Sequence, residues 1–302
     1  MSRLQQFFTK QSAFLLENHL HAWVAILCLA LLPFCDWLSM ALVSLIGLRC
    51  GAKDGFKAGM VSAAVFVLLF SVSTQNVLAY SALESLVTLG LSFIAAMVLR
   101  YTISWNRAIS TMLLTTLGLT LLTSAVGLDY IHSQAQLLLH VLKEKNSHLM
   151  QQFFGQLALD DQKFIAVFLG IKMLSIMLSA VCVLMLARDI QSRLYYPTGF
   201  KQELRHFKAS RLVIILLLIV MILVFNGQWL WLSCLPLLVT YVLVAGMVTI
   251  FRLMPKKHNI LNALLIITPL VIAPALMVAI YLLIGSLDGF FNIRLQLHRA
   301  VK

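Results

Sequence analysis

The sequence predicts an all-α fold, a polytopic transmembrane helical bundle of about eight spans with amphipathic interfacial helices, and three observations predict it. Of its 302 residues, 61% are apolar and only 11% charged, and the mean hydropathy is +0.94. A soluble domain of this length has too little interior to hide that much apolar side chain, so the excess must face lipid. The apolar residues fall in continuous runs of about 20, which suit membrane-crossing helices and not the short alternating strands of a barrel. Basic residues collect at alternate ends of those runs, as in a chain held in one orientation. The whole of 1–302 reads as a single integral membrane domain.

Residues 1–21 read as an N-terminal interfacial segment, with Phe7, Phe8, Phe14, Leu15 and Leu16 set among Arg3, Lys10 and Glu17. They lack the compact apolar core and small-residue cleavage site of a secretory signal. Apolar windows then cover 22–48, 55–71, 78–99, 105–127, 162–187, 211–226, 229–252 and 259–286. The first holds Pro33 and Asp36, the last Pro269 and Pro274. Proline removes a backbone donor and clashes with the preceding turn, so each of these windows is either one kinked helix or two half-helices. Cys28, Cys35, Cys50, Cys182 and Cys234 show no metal-site or redox-pair spacing and read as small hydrophobes.

Orientation follows from the basic residues. Loops after the first, third, fifth and seventh windows hold Arg49, Lys53, Lys57, Arg100, Arg107, Arg188, Arg193, Lys201, Arg205, Lys208, Arg211, Arg252, Lys256 and Lys257, fourteen against eight on the other side with the termini included. Lys and Arg stay on the cytoplasmic side, where they meet an anionic leaflet. These loops are therefore expected to be cytoplasmic, in a bacterial cytoplasmic (inner) membrane. The net charge of +12 is then explained by the lipid bilayer as partner, with no nucleic acid. Uncharged SVSTQN at 71–76 and NGQ at 226–228 fit the outer side, with Trp229 and Trp231 at the outer interface. The side of the two termini depends on whether the first and last windows cross or turn back.

Two insertions stand apart. Residues 128–161 mix Leu137, Leu138, Val141, Phe153 and Phe154 with Gln134, Lys143, Glu144 and Gln151, an extracytoplasmic amphipathic insertion that either packs at the interface or covers an outward cavity. Residues 188–211 form a cytoplasmic basic loop-helix: a YYPTGF turn, then a helix over FKQELRHFKASR leading into the sixth window. It is an interfacial anchor or a docking strip for a membrane or cytosolic protein, with Arg188, Arg193, Phe200, Leu204 and Phe207 as docking candidates.

Asp36, Glu84 and Lys172 are the ionisable side chains set clearly inside apolar windows. A charge at the bilayer centre costs on the order of 3 kcal/mol, so each needs a partner, a cavity or an interface. They form a candidate intramembrane polar cluster, either a structural ion pair or a site for a small-molecule ligand. Gly47, Gly51, Gly55 and Gly59 recur every four residues, either as a smooth helical docking stripe or as parts of a charged turn where glycine permits positive φ. Catalysis finds no motif: HExxH, GxSxG and phosphate-loop patterns are all absent, so no enzyme, cofactor or metal site is expected. The eight-residue spacing of His132, His140 and His148 does not align them on a helix.

The stretches ARDIQSRLYYPTGFKQELRHFK, PFCDWLSMALVSLIGLRCGAKDGFKAG and SLDGFFNIRLQLHR resemble the YybS-like family of bacterial polytopic membrane proteins. Ala187, Arg188, Gln191, Leu194, Tyr195, Pro197, Gly199, Phe200 and Glu203 match its central pattern, Thr198 stands where that pattern has its first glycine, and Asp288, Phe291, Asn292 and Arg294 match its closing motif. The family is similar to the substrate-capturing membrane subunits of energy-coupling-factor vitamin transporters. The resemblance implies a helical core that binds a small molecule in a cavity lined from the outer halves of the spans, and docking through the Gly47 to Gly59 segment. Two functions remain in view: a solute-binding or transporter-like subunit, and a non-transporting scaffold that recruits a partner through 188–211.

Overall fold

The computed structural model describes residues 19–32, 35–72, 76–126, 133–136, 161–195, 200, 203, 207–254 and 259–291. They are helical nearly throughout: α1 His19–Leu31, α2 Asp36–Cys50, α3 Ala52–Val72, α4 Asn76–Thr102, α5 Trp105–Val126, α6 Asp161–Tyr195, α7 Arg211–Phe225, a 3-10 turn Trp229–Cys234, α8 Leu235–Leu253, α9 Asn259–Ile272 and α10 Pro274–Phe291. The chain is thus an all-α, multi-spanning membrane protein. Most of the predicted insertion 128–161 and of the N-terminal segment 1–21 lies outside the described residues, as do Leu204, His132, His140 and His148.

Six helical stretches among the described residues are long and apolar enough to cross a membrane, against the eight windows expected. The difference has local causes. The first window breaks into α1 and α2, with Asp36 as the first residue of α2, and neither half is long enough to cross; the last also breaks, at Ala273 between α9 and α10, but α10 alone remains one of the six. The sixth window yields only Arg211–Phe225, 15 residues. At 1.5 Å per residue that is about 22 Å, short of a hydrocarbon core of about 30 Å, and Gly227 at φ +81 turns the chain just after it. Conversely α6 runs 35 residues, about 52 Å, so the helix carries Arg188 and Arg193 well past the hydrocarbon before any turn begins.

Two compact units make up the chain, 1–112 with 175–206 and 113–174 with 207–302. In the first, α1 to α4 pack around Ile26, Met40, Val43, Ile46, Ala58, Phe66 and Leu89, joined by Val183 of α6. Gly47 and Gly55 face each other across the α2–α3 hairpin: a Cβ on Gly55 would come within 2.6 Å of the Gly47 Cα. Gly51 makes the hairpin turn at φ +115, a conformation that side chains with a Cβ rarely adopt. The glycine spacing therefore serves a turn and a close helix approach at once, both within the chain.

The second unit is built on α8 and α10. On α8, Leu237, Leu238, Tyr241, Val242, Ala245, Gly246 and Thr249 are buried, a stripe of helical period. Gly246 and Gly285 bring the two backbones together, since a Cβ on Gly246 would collide with the Tyr281 carbonyl oxygen and one on Gly285 with that of Val242. Close backbone approach is what holds helices together where lipid removes the hydrophobic drive between them. Helix α7 buries Val213, Ile214, Leu217 and Val220 while Leu212, Ile215, Leu218, Ile219 and Ile222 stay exposed, apolar on both faces as a lipid-bathed helix must be.

Gly246→Ala is expected to lower stability by at least about 1–3 kcal/mol, because the methyl meets backbone that cannot rotate away. Gly118, with open space around it, is the control. Thermal unfolding in mild detergent should show a clear loss for the first variant and none for Gly118→Ala; equal behaviour of the two contradicts the crossing.

Candidate functional site

A cavity of about 660 Å³ in the first unit is lined by Leu48, Arg49, Leu99, Arg100, Ile103, Arg188, Gln191, Ser192, Phe200 and Glu203. These come from the C-terminal ends of α2, α4 and α6 and from the segment after α6. The charge count assigned the same ends to one side of the membrane, and the fold of this unit brings Arg49, Arg100 and Arg188 to one cavity.

Each polar wall is fixed by a named contact. The Arg100 guanidinium donates from one nitrogen to the carbonyls of Gly47 at 2.9 Å and Leu48 at 3.3 Å. Those carbonyls lie in the last turn of α2, where a helix has no partners of its own, so Arg100 caps a neighbouring helix. Arg188 grips Glu203 with two parallel bonds, Nη2 to Oε1 at 2.5 Å and Nε to Oε2 at 3.1 Å, and reaches Gln191 at 2.7 Å. Trp105 Nε1 also donates to Glu203, at 2.9 Å, and the Trp105 ring lies 5.7 Å from that of Phe200. Ser192 accepts the Phe200 backbone N–H at 3.4 Å. A paired, half-buried carboxylate of this kind fixes the wall's geometry more than it adds stability.

Ile103 at the rim has φ +50 and joins α4 to α5. A β-branched residue in the left-handed region is strained by roughly 1–2 kcal/mol. It is also 72% exposed, so its side chain gains little burial in return.

The docking candidates of 188–211 divide between the units. Arg188 and Phe200 wall the cavity, and Arg193 pairs with Asp189 one helical turn earlier, at 2.5 Å. Phe207 belongs to the second unit, 5% exposed, with its ring edge-on to Tyr241 at 5.6 Å. Residues 207–210 are not helical, so the helix expected to lead into the sixth window does not run through them. Of the glycines, Gly47 and Gly55 are covered within the chain by Phe93, and Gly47 also by Met97, and Gly59 rests on Val43.

The three candidate polar residues also divide between the units. Asp36 accepts a 2.6 Å hydrogen bond from Ser85, which places it on the turn of α4 that carries Glu84. Lys172 belongs to the second unit and donates to Gln134 at 3.2 Å. The sequence marks Asp288 only as part of the closing motif, because it sits just past the predicted end of the last window; α10 carries the helix beyond it, and Asp288 is only 1% exposed and accepts from Thr249 at 3.1 Å. Glu203 and Trp105 were missed as site residues because their partnership spans 98 residues of chain.

No family model, curated protein or solved structure matches this chain. Fold and site together define a multi-spanning α-helical membrane protein with a basic cavity at one end of its first unit.

Replacing Ile103 by Asn, which tolerates the left-handed region, is expected to raise stability by about 1 kcal/mol. An upward shift of the thermal midpoint checks this; a drop would show that the Ile103 side chain contributes more than its backbone strain.

Proposed function

We propose that the chain is a transporter-like, solute-binding subunit of a bacterial inner membrane, with no covalent chemistry of its own. The observation that carries this is that each unit contains one apolar window broken between two helices, α1/α2 in the first and α9/α10 in the second. A break exposes backbone groups that lipid cannot satisfy, so breaks persist where they are buried in protein or line a polar path. Transporters place substrate and ion sites at such discontinuous helices.

In the first unit the break ends at a carboxylate. Asp36 opens α2, at the end where the helix dipole favours negative charge, and it accepts a hydrogen bond from Ser85 of α4. A polar path there has both an anion and hydroxyls to offer a solute. The resemblance to the YybS-like family, itself similar to vitamin-capturing subunits, points the same way, and the charge bias supports a cytoplasmic position for the basic end. A scaffold acting through 188–211 has less support, because Phe200 packs on Trp105 and Phe207 is buried on Tyr241.

Protein extracted gently from cells should release a bound small molecule on denaturation, detectable by mass spectrometry. Asp36→Asn, which keeps the shape and loses the charge, should abolish that retention and leave the thermal midpoint within a few degrees. Retention of nothing by the wild type, with Asp36→Asn and Glu84→Gln altering stability alone, would sink the reading.

A further inference from the structure

We propose that the cavity at the basic end of the first unit binds a small organic monocarboxylate, whose carboxylate is held on the Nε/Nη2 edge of Arg100. This does not rest on the transporter reading, whose polar groups belong to the helix break. The cavity shows the same arrangement once already, at Arg188. That residue gives Nη1 to a neutral oxygen, the side-chain carbonyl of Gln191, and sets Nε and Nη2 side by side on the two oxygens of the Glu203 carboxylate. Arg100 repeats the first half of the pattern, with Nη1 donating to the neutral carbonyls of Gly47 and Leu48. Among the described residues, no acceptor meets its Nε/Nη2 edge.

Guanidinium geometry makes that edge selective. It offers two parallel N–H donors in a fixed plane, and the two oxygens of a carboxylate match their spacing. The α2 cap already orients Arg100, so little side-chain freedom is lost when a ligand arrives.

Charge sets the valence of the ligand. Arg188 is answered by Glu203, and Arg49 has an interaction partner of its own. The carbonyls that hold Arg100 are neutral and leave its positive charge in place. One half-buried cation calls for one negative charge, and a dianion would bring a second that the Glu203 carboxylate repels.

The remaining walls define the body. Leu48 and Leu99 are buried at 5% and 2% exposure, Ile103 stands open at the rim, and Phe200 presents a ring packed on Trp105. The cavity holds about 660 Å³, within the range of roughly 300–1,000 Å³ usual for small-molecule pockets. The ligand class is therefore an aromatic or short aliphatic monocarboxylic acid, its apolar body lying along Leu99, Ile103 and Phe200.

The test uses the full chain in an uncharged detergent above neutral pH, titrated with para-fluorobenzoate, its neutral amide para-fluorobenzamide and the dianion para-fluorophenyl phosphate. Fluorine NMR reads binding, and thermal unfolding checks the fold of each variant. One saturable equivalent of the monocarboxylate is expected, with weaker binding of the dianion and no displacement by the amide. Arg100→Lys keeps a charge that can reach the α2 carbonyls and loses the fork, so the monocarboxylate should bind about tenfold more weakly. Glu203→Gln removes the repelling charge and keeps an oxygen for Arg188 and Trp105, so the preference should turn toward the dianion. Displacement of the acid by the amide, or a folded Arg100→Lys variant that binds as the wild type does, would overturn the proposal. If Arg100→Lys melts far below the wild type, Glu203→Gln decides, and an unchanged preference for the monocarboxylate in that variant overturns it.

Discussion

The contact between the Arg100 guanidinium and the last turn of α2 is the interaction on which the basic end of the first unit depends. A helix ending near the membrane surface leaves its final carbonyls without partners and presents the negative end of its dipole. A cation from α4 answers both needs at Gly47 and Leu48. The same placement explains Gly51, which must take φ +115 and whose absent side chain leaves room for the guanidinium, 3.4 Å from where a Cβ would stand. One residue thereby ties the α2–α3 hairpin to α4 and leaves a positive charge at the cavity wall.

Lipid imposes the wider pattern. With no water to satisfy backbone groups, helices and closed barrels are the only ways through, and helix pairs must approach by small residues rather than by excluding water. Gly47 with Gly55 in one unit and Gly246 with Gly285 in the other meet that demand. Side chains tie the two helices flanking each break: Ser39 of α2 donates to the Ile26 carbonyl of α1 at 3.2 Å, and Tyr281 of α10 to that of Ile266 of α9 at 2.7 Å. At the first break Asp36 is also kept by Ser85.

Much of this was legible in the sequence for definite reasons. Apolar runs and the clustering of Arg49, Arg100 and Arg188 reflect transfer energies and leaflet charge, which act residue by residue and leave a one-dimensional trace. Pro33 and Pro269 with Pro274 marked both interrupted windows, though composition alone could not say that the halves would separate and leave six full-length stretches. The four-residue glycine spacing was readable as stripe or turn; only packing shows that Gly51 turns the chain so that Gly47 and Gly55 can meet. Partners distant in sequence were hidden. Glu203 reads as a residue of the expected helix over FKQELRHFKASR until Arg188 and Trp105 converge on it, and Phe207 reads as part of an interfacial anchor or docking strip until Tyr241 covers it.

Amide hydrogen exchange on the full chain carrying Arg100→Ala tests most directly whether that guanidinium organises the basic end. Loss of about 1.4 kcal/mol of local stability, the size of a charge-assisted hydrogen bond, corresponds to tenfold faster exchange. The account predicts acceleration of that order confined to residues 48–55, with amides of α8 in the other unit unchanged. Unaltered exchange at 48–55 in the variant would contradict it.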